Sequence, residues 1–318
     1  MSARHTTGKS TLVIGGGGYI GAYLVPQLLA TGRQVTVLGR SVKPRFELPE
    51  QATYVCGDFG QQTLIGSLLD AHQEVIHLAY ATVPNTSFEN PLADLLQNLP
   101  PTVQLFTEAA KRSIKLVLIS SGGTVYGEAL PVPIAEMHPT KPISPYGVTK
   151  LTLENYAYLY AKTHGLKFVC ARPANAYGRG QRPFIGQGFI STAIASSING
   201  LPIRVFGETG AIRDYLYVSD LASGIVCCLE YGKLSECYNL GSSVGSTNLD
   251  IINNIRPLML ELGCTVRVEN LPERVFDVKS NILDSSKLTR DTGWSASTSL
   301  LDGLVATRDW LWSSRSEF

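Results

Sequence analysis

The chain has 318 residues, of which 44% are hydrophobic and 17% charged, so it can bury a large core and is not an intrinsically disordered protein. Its formal net charge of +1 gives no reason to expect a nucleic-acid partner or an anionic membrane surface. No stretch approaches the roughly twenty apolar residues that span a bilayer, and the N-terminus lacks the apolar region of a signal peptide. We therefore expect no membrane partner.

Short apolar stretches rich in β-branched residues alternate with helical patterns. The predicted strands lie at 11–14, 34–38, 53–55, 75–78, 115–119 and 167–171. The predicted helices lie near 20–31, 61–72, 91–112 and 145–164. This alternation predicts an α/β fold with a doubly wound parallel sheet.

Two adjacent prolines, Pro100 and Pro101, fall within the predicted helix at 91–112. Each removes a backbone donor and crowds the preceding turn, so we expect a kink or a break there.

The alternation loosens after about residue 173, where glycines and prolines separate shorter elements. We expect residues 1–173 to form the first domain. Residues 174–318 are expected to form mainly a smaller, mixed α/β lobe that is discontinuous in sequence, with segments near 214–245 returning to the first domain.

The six cysteines form no CxxC pair and no metal-ligand spacing, and several lie in apolar stretches such as GIVCCLE. Buried free thiols are typical of a reducing compartment. The pattern predicts a cytoplasmic protein without a metal site, and a catalytic cysteine is the less favoured alternative.

The stretch LVIGGGGYIG follows the first predicted strand and opens a helix, and Gly15, Gly18 and Gly21 have the spacing GxxGxxG. Such glycines permit a tight turn and bring the backbone close to a pyrophosphate, which the helix N-terminus then faces. A glycine cluster alone also fits a flexible loop. After the first strand of a βαβ unit, it predicts a dinucleotide site.

In the stretch SPYGVTK, Tyr146 and Lys150 are four residues apart, and Ser144 can cap a helix that begins at Pro145. Both side chains then share one helix face. We expect the lysine ammonium to stabilise the phenolate and lower the pKa of Tyr146, which can then exchange a proton with a substrate hydroxyl. The alternative is a surface Tyr–Lys pair on an ordinary amphipathic helix.

The motifs GGGGYIG, HLAY, SSGGTVYG, SPYGVTK, RPANAYG, RDYLYVSDLA and SSKLTRDTGW, in this order, resemble the extended short-chain dehydrogenase/reductase family. The resemblance is to its NAD-dependent epimerase/dehydratase branch, which includes UDP-glucose 4-epimerase, and it covers nearly the whole chain. It implies a Rossmann-type fold, a nicotinamide dinucleotide cofactor and a nucleotide-diphosphate sugar substrate. It also implies a homodimer formed through the helices at 91–112 and 145–164.

The resemblance assigns Tyr146 as the catalytic acid/base and Lys150 as its partner, which also holds the nicotinamide ribose. Asp58 and Phe59 are expected to touch the adenine, and Asn98 to lie near the nicotinamide ribose unless it is only a helix residue beside Pro100. The cofactor-binding residues on these motifs are Gly15, Gly18, Tyr19, Ile20, Gly21, Asp58, Phe59, Leu78, Ala79, Asn98, Lys150 and Pro173.

Three residues are assigned to the substrate by the same resemblance. Arg213 and Arg274 resemble the family's two clamps on the diphosphate, a task that suits guanidinium groups. Asn175 is expected to face the diphosphate or the sugar. The alternative for each arginine is a surface salt bridge with a neighbouring aspartate.

The sequence departs from the family pattern at Gly122, where a serine or threonine usually bonds the reacting hydroxyl. We assign that catalytic role to Thr124 instead. The pair Gly123-Thr124 also lacks the carboxylates that 4,6-dehydratases carry after their threonine, which argues against that reaction.

A second departure lies at the end of the second strand, where NAD-binding members usually place an acidic residue on the adenosine ribose. Gly39 leaves room for a 2′-phosphate that Arg40 can pair with, and Lys43 and Arg45 add nearby charge. The alternative is that Arg40 stacks on adenine or faces solvent while NAD binds through the rest of the site. NAD and NADP both stay open.

These assignments predict a nucleotide-sugar epimerase acting at C4, in which Tyr146 removes the C4 hydroxyl proton while the nicotinamide takes up and returns the hydride. The first alternative is an NADPH-dependent reductase of a 4-keto sugar, which Arg40 favours. The second is a non-catalytic dinucleotide sensor, which the retained Tyr146–Lys150 pair disfavours.

Overall fold

Strands and helices alternate through the first half of the chain in the computed structural model, which describes residues 8–273 and 278–318. The elements of this half are β1 Ser10–Ile14, α1 Gly21–Ala30, β2 Gln34–Gly39, β3 Thr53–Cys56, α2 Gln62–Asp70, β4 Glu74–His77, α3 Pro84–Glu89, α4 Pro91–Lys111, β5 Lys115–Ile119, α5 Pro145–His164 and β6 Lys167–Pro173. All six predicted strands and all four predicted helices are present, with small shifts at their ends.

The second half is built from shorter elements. They are β7 Asn175–Tyr177, α6 Phe189–Ile198, β8 Ile203–Phe206, β9 Ile212–Tyr217, α7 Val218–Tyr231, β10 Cys237–Leu240, β11 Gly245–Ser246, α8 Asn248–Leu260, β12 Val268–Leu271, β13 Ser280–Asn281, α9 Ser286–Thr292, α10 Leu300–Ser313 and a 3₁₀ turn at Arg315–Glu317. None of the described helices is both long enough and apolar enough to cross a membrane.

The main sheet has seven strands in the order β10-β6-β5-β4-β1-β2-β3, and every pairing in it is parallel. The predicted doubly wound, Rossmann-type sheet is therefore confirmed. The chain order reverses between β1 and β4, so the loops that leave these two strands diverge and open a crevice at the carboxyl edge, where such sheets bind ligands.

Alternate residues of the central strands fill two separate cores. Val13 and Val117 point to a core shared with α1 and α7, whereas Leu12 and Leu116 point to a core shared with α2, α4 and α5. All four side chains are fully buried, and each such burial contributes about 1.5–3 kcal/mol. Because both faces are covered, the strands read as continuous apolar runs in the sequence.

The later elements form a lobe with its own apolar core, which α6, α8 and α10 share with β8. A small sheet joins β7, β9, β11 and β13, and β8 pairs with β12. Strand β10 instead pairs with β6 at the edge of the main sheet. The chain therefore crosses between the main sheet and this lobe. The domain limits 1–173 and 174–318 stay a prediction.

Helix α4 continues across Pro100 and Pro101 as one element of 21 residues, so the break considered above is absent. The Asn90 side chain caps the helix by accepting a 2.9 Å hydrogen bond from the backbone N–H of Ala93. Buried side chains lie on both sides of the prolines, at Asp94 and Asn98 before them and at Thr102, Leu105 and Phe106 after them. This packing offsets the cost of about 3 kcal/mol that a proline brings to a helix interior.

Candidate active site

The loops that leave β1 and β4 are held together by backbone hydrogen bonds. The N–H groups of Leu78 and Ala79 both donate to the carbonyl of Ile14, at 2.9 and 3.0 Å. Gly15 has a φ of +84°, and a Cβ there would lie 2.7 Å from the Ala79 nitrogen. Only glycine therefore fits, and the glycine loop, residues 15–21, is fixed beside residues 78–79 at the crevice. Gly18 lies within this loop, and Gly21 begins α1.

Helix α5 carries the predicted Tyr–Lys pair. Its N-terminus is capped by Ser144, whose hydroxyl accepts a 3.1 Å hydrogen bond from the Gly147 N–H, with Pro145 as the first helical residue. Tyr146 lies in the first turn and Lys150 one turn later, and both side chains face the same cavity. The capping residues therefore fix where α5 begins, and with it the positions of Tyr146 and Lys150 at the crevice.

A cavity of 1570 Å³ extends from the glycine loop to the second lobe. A single small-molecule site usually measures about 300–1,000 Å³, so the cavity has room for two ligands side by side. The predicted site residues that line it are Tyr19, Ile20, Leu78, Thr124, Tyr146, Lys150, Pro173, Asn175 and Arg213.

Other predicted cofactor residues lie outside the cavity wall. The Asp58 carboxylate accepts a 2.8 Å hydrogen bond from the Gly60 N–H, and the Phe59 ring packs 4.9 Å from the ring of His77. Asn98 is buried, with its amide oxygen bonded to the Ala81 N–H at 2.8 Å. Asn98 thus fixes the loop that follows β4, and its predicted contact with the ribose stays a prediction.

Tyr54 packs against Gly39 at the end of β2. The Tyr54 hydroxyl donates a 2.7 Å hydrogen bond to the carbonyl of Ser41, and a Cβ at Gly39 would lie 2.6 Å from that hydroxyl oxygen. Arg40 is exposed, and the Arg45 N–H donates to the carbonyl of Gly17 at 3.0 Å. A basic segment therefore borders the glycine loop, and any side chain at position 39 would require the Tyr54 ring to move.

The two predicted substrate residues within the described ranges, Asn175 and Arg213, line the same cavity. The Arg213 guanidinium donates to the carbonyls of Ile212 and Val278, at 2.9 and 2.6 Å, which fixes its direction. The buried Asp214 carboxylate accepts hydrogen bonds from Ser242, Ser243 and Leu283. Arg274, the other predicted clamp, lies outside the described residues.

The loop after β5 carries hydroxyl side chains whose hydrogen-bond partners differ. The Ser120 hydroxyl donates its hydrogen bond to the Glu154 carboxylate. A Cβ at Gly122 would lie 2.9 Å from the Arg172 carbonyl and would also overlap the Leu283 side chain. The buried Thr124 hydroxyl, in contrast, lines the cavity and has no hydrogen-bond partner among the described residues.

The pKa of Tyr146 lies above its usual value, which is opposite to the predicted direction. Burial is the main cause, and the negative charge of Asp94 adds to it. Lys150 Nζ lies 5.5 Å from the Tyr146 ring centre and donates a hydrogen bond to the Ile119 carbonyl at 2.8 Å. Burial also lowers the pKa of Lys150, to about 7.

Sequence reasoning missed two side chains around this pair. Tyr80 lines the cavity, and its ring centre is 4.8 Å from that of Tyr146 and 3.8 Å from Lys150 Nζ. Asp94 is fully buried on α4 and accepts a 2.6 Å hydrogen bond from the Thr149 hydroxyl. Tyr80 could have been predicted as a site residue, because it directly follows Leu78-Ala79 at the carboxyl end of a central strand.

Comparison with known proteins shows which family this chain resembles. Residues 11–241 match the model of the NAD dependent epimerase/dehydratase family. A UDP-glucose 4-epimerase from Halalkalibacterium halodurans is 30% identical over 95% of this chain and 94% of its own. A dTDP-4-dehydro-6-deoxyglucose reductase from Escherichia coli is 29% identical over 93% of this chain and 95% of its own.

Solved structures show the same similarity. A UDP-glucose 4-epimerase from Thermotoga maritima, solved with UDP-glucose, has a TM-score of 0.89 and 28% identity over 96% of this chain and 99% of its own. A UDP-glucose 4-epimerase from Thermus thermophilus, solved with NAD, has a TM-score of 0.87 and 29% identity over the same shares of the two chains.

Proposed function

Because the chain belongs to the NAD-dependent epimerase/dehydratase family, we propose that it is a nucleotide-sugar 4-epimerase that recycles a bound nicotinamide dinucleotide. It is an NAD(P)-dependent enzyme of the extended short-chain dehydrogenase/reductase type. The observation that carries the proposal is that Tyr146 and Lys150 line the same cavity as the glycine loop and Arg213. Such a cavity brings an acid/base group, a dinucleotide site and a guanidinium for a diphosphate together.

The glycine loop fits the cofactor. Gly15 makes room for close backbone approach, and the buried Tyr19 hydroxyl has no hydrogen-bond partner among the described residues although it lines the cavity. With Leu78, Lys150 and Pro173, these residues would hold the dinucleotide. When bound, the nicotinamide supplies reversible hydride transfer with sugar C4. We propose NAD, as in the Thermus thermophilus structure, and NADP held through Arg40 is the alternative.

Tyr146 is the proposed catalytic acid/base. Its phenolic oxygen accepts the proton of the C4 hydroxyl and later returns a proton to the same oxygen. Burial opposes the phenolate that this step needs, so the ammonium of Lys150 is its proposed stabiliser. Thr124 is proposed to bond the same sugar hydroxyl, since Gly122 has no side chain to do so.

The diphosphate of the substrate is assigned to Arg213 and Arg274, with Asn175 beside it. Guanidinium groups bind phosphate oxygens with two parallel hydrogen bonds, and Arg213 is already directed by two backbone carbonyls. This assignment supports a nucleotide-diphosphate sugar as the substrate class. For Arg274 it rests on the motif alone.

A homodimer is the proposed assembly. Helices α4 and α5 pack side by side, and each leaves apolar side chains on its outer face at helical spacing. These exposed residues are Leu92, Leu95 and Leu96 on α4 and Val148, Tyr156 and Leu159 on α5. The cytoplasm stays the proposed location, because all six cysteines are free thiols.

The first test is to denature the purified protein and identify any released dinucleotide by mass spectrometry. Near-stoichiometric NAD, together with interconversion of UDP-glucose and UDP-galactose without added cofactor, supports the epimerase. A panel of other nucleotide sugars extends the same assay. Loss of activity in Tyr146→Phe with unchanged cofactor content would assign the proton transfer to this residue.

The reductase is the second candidate, favoured by Arg40 in place of an acidic residue. It requires that an empty protein binds NADPH well and consumes one equivalent for each 4-keto sugar reduced. Protein that carries a retained dinucleotide and shows no net change in absorbance at the NAD(P)H band during turnover excludes this candidate.

A further inference from the structure

Tyr80 is fixed in a place that no part of the proposed mechanism uses. It follows Leu78 and Ala79, whose N–H groups are bonded to the Ile14 carbonyl, which places its backbone beside the glycine loop. Its ring meets that of Tyr146 edge to face, at an interplanar angle of 67°. The face of the same ring lies 3.8 Å from Lys150 Nζ. Tyr80 therefore touches both members of the proposed catalytic pair.

Within residues 8–273 and 278–318, Lys150 lacks the carboxylate partner that a buried ammonium normally has. Only 5% of the residue is exposed, and its Nζ has a single backbone acceptor, the Ile119 carbonyl. Among the described residues it forms no ion pair, because the Glu154 carboxylate is bonded to Arg172 at 2.5 Å and that of Asp94 to threonines. The titratable groups that face Lys150 from the surrounding elements are His77, Tyr80, Asp94, Tyr146, Glu154 and Cys170.

We propose that Tyr80 is a positioning residue, whose ring face keeps the Lys150 ammonium charged and directed at the cavity. The negative face of an aromatic ring attracts a cation, and the attraction grows when both are removed from water. A charged Lys150 is what the phenolate of Tyr146 requires. This inference rests on the proposed function of Tyr146 and Lys150.

The ring, and not the hydroxyl, carries this role. Burial and the nearby Asp94 charge both raise the pKa of Tyr80, so its phenol stays neutral and its ring faces keep their partial negative charge. The Tyr80 hydroxyl lies beside the Thr149 hydroxyl and the Asp94 carboxylate, and both oxygens of that carboxylate already accept from threonines. A phenylalanine at this position therefore preserves the contact, whereas an aliphatic side chain of similar size removes it.

The test compares Tyr80→Phe with Tyr80→Leu in the full chain, labelled with ¹³C-lysine. The Lys150 resonance is assigned by its loss in Lys150→Met. We expect the ε-CH₂ of Lys150 to be displaced upfield by the ring in the wild type and in Tyr80→Phe. In Tyr80→Leu we expect the chemical shift of a lysine that lies beside no ring. We also expect the titration midpoint of Lys150 to be lower by about one pH unit.

The kinetic readout is the pH profile of kcat. In Tyr80→Leu the alkaline limb should move down by about one pH unit, while KM for the nucleotide sugar stays within about twofold. Tyr80→Phe should recover most of the wild-type profile. Thermal melts establish that both variants are folded, and Tyr80→Met replaces the leucine variant if that variant does not fold.

Two results would overturn the inference. One is an unchanged Lys150 resonance and midpoint in Tyr80→Leu, because the ring then does not hold the ammonium. The other is an equal loss of activity in both variants, because the hydroxyl is then the part that matters. A wild-type chain without epimerase or reductase activity would instead refute the proposed function, and the resonance would still test the contact.

Discussion

The Thr149 hydroxyl donates a 2.6 Å hydrogen bond to the Asp94 carboxylate, which ties the residue before Lys150 to helix α4. The other oxygen of Asp94 accepts from the hydroxyl of Thr82. Asp94 is fully buried and forms no ion pair within the part of the chain that the structure describes. Its charge acts on both members of the proposed catalytic pair, raising the pKa of Tyr146 and partly restoring that of Lys150.

Replacing Asp94 with asparagine removes this charge and should move the whole pH profile of kcat to lower pH. Without a nearby negative charge the phenolate of Tyr146 forms more easily, so the acidic limb of the profile shifts to lower pH. The ammonium of Lys150 is no longer stabilised by the Asp94 charge and releases its proton at lower pH, so the alkaline limb shifts to lower pH as well. The measurement is kcat from pH 5 to pH 10.

The matched control is Asp309→Asn, which removes an exposed carboxylate on α10 and should leave the profile unchanged. A profile of Asp94→Asn that moves to higher pH, or does not move, contradicts the argument. Loss of one acceptor for the two threonines should also lower the stability by about 1–3 kcal/mol, measured by urea unfolding.

Thr124→Val should separate activity from stability. The Thr124 hydroxyl is buried without a partner among the described residues, so its removal should leave Tm unchanged or raise it slightly. If that hydroxyl bonds the reacting oxygen, kcat should fall about a hundredfold, as for other donors at a reacting centre. Thr124→Ser keeps the hydroxyl and should retain most of the rate. A valine variant with wild-type kcat would remove Thr124 from the mechanism.

The main sheet and the pairing of Tyr146 with Lys150 on one helix face were predictable from local patterns. Continuous apolar strands and the Ser144-Pro145 cap each act within a few residues, so the sequence displays them directly. The cavity-lining positions of Tyr19 and Leu78 follow equally from their places after β1 and β4.

Long-range packing explains what the sequence did not predict. The continuity of α4 depends on buried contacts on either side of Pro100, which outweigh a local rule. The raised pKa of Tyr146 depends on burial and on Asp94, which is 52 positions away in the sequence. The packing of Tyr54 against position 39 likewise appears only when β2 and β3 are paired.

Arg40→Ala tests which dinucleotide the segment after β2 selects. If Arg40 pairs with a 2′-phosphate, the variant should bind NADPH about 10–100-fold more weakly, the usual loss for a charge-assisted hydrogen bond. NADH has no such phosphate, so its Kd should change less than about threefold. Calorimetry with both dinucleotides measures the difference. Arg290→Ala, an exposed arginine on α9, is the control. Equal losses for NADH and NADPH would mean that Arg40 acts on the adenine instead.

The double variant Leu96→Glu, Leu159→Glu tests the proposed homodimer. Both side chains are about half exposed on the outer faces of α4 and α5, and a carboxylate buried in an apolar interface is strongly unfavourable. Light scattering should give twice the chain mass of 34.4 kDa for the wild type and the single mass for the variant. Leu260→Glu, on the exposed surface of α8, should stay dimeric. A wild-type monomer, or a variant that stays dimeric, would mean that this face does not join two chains.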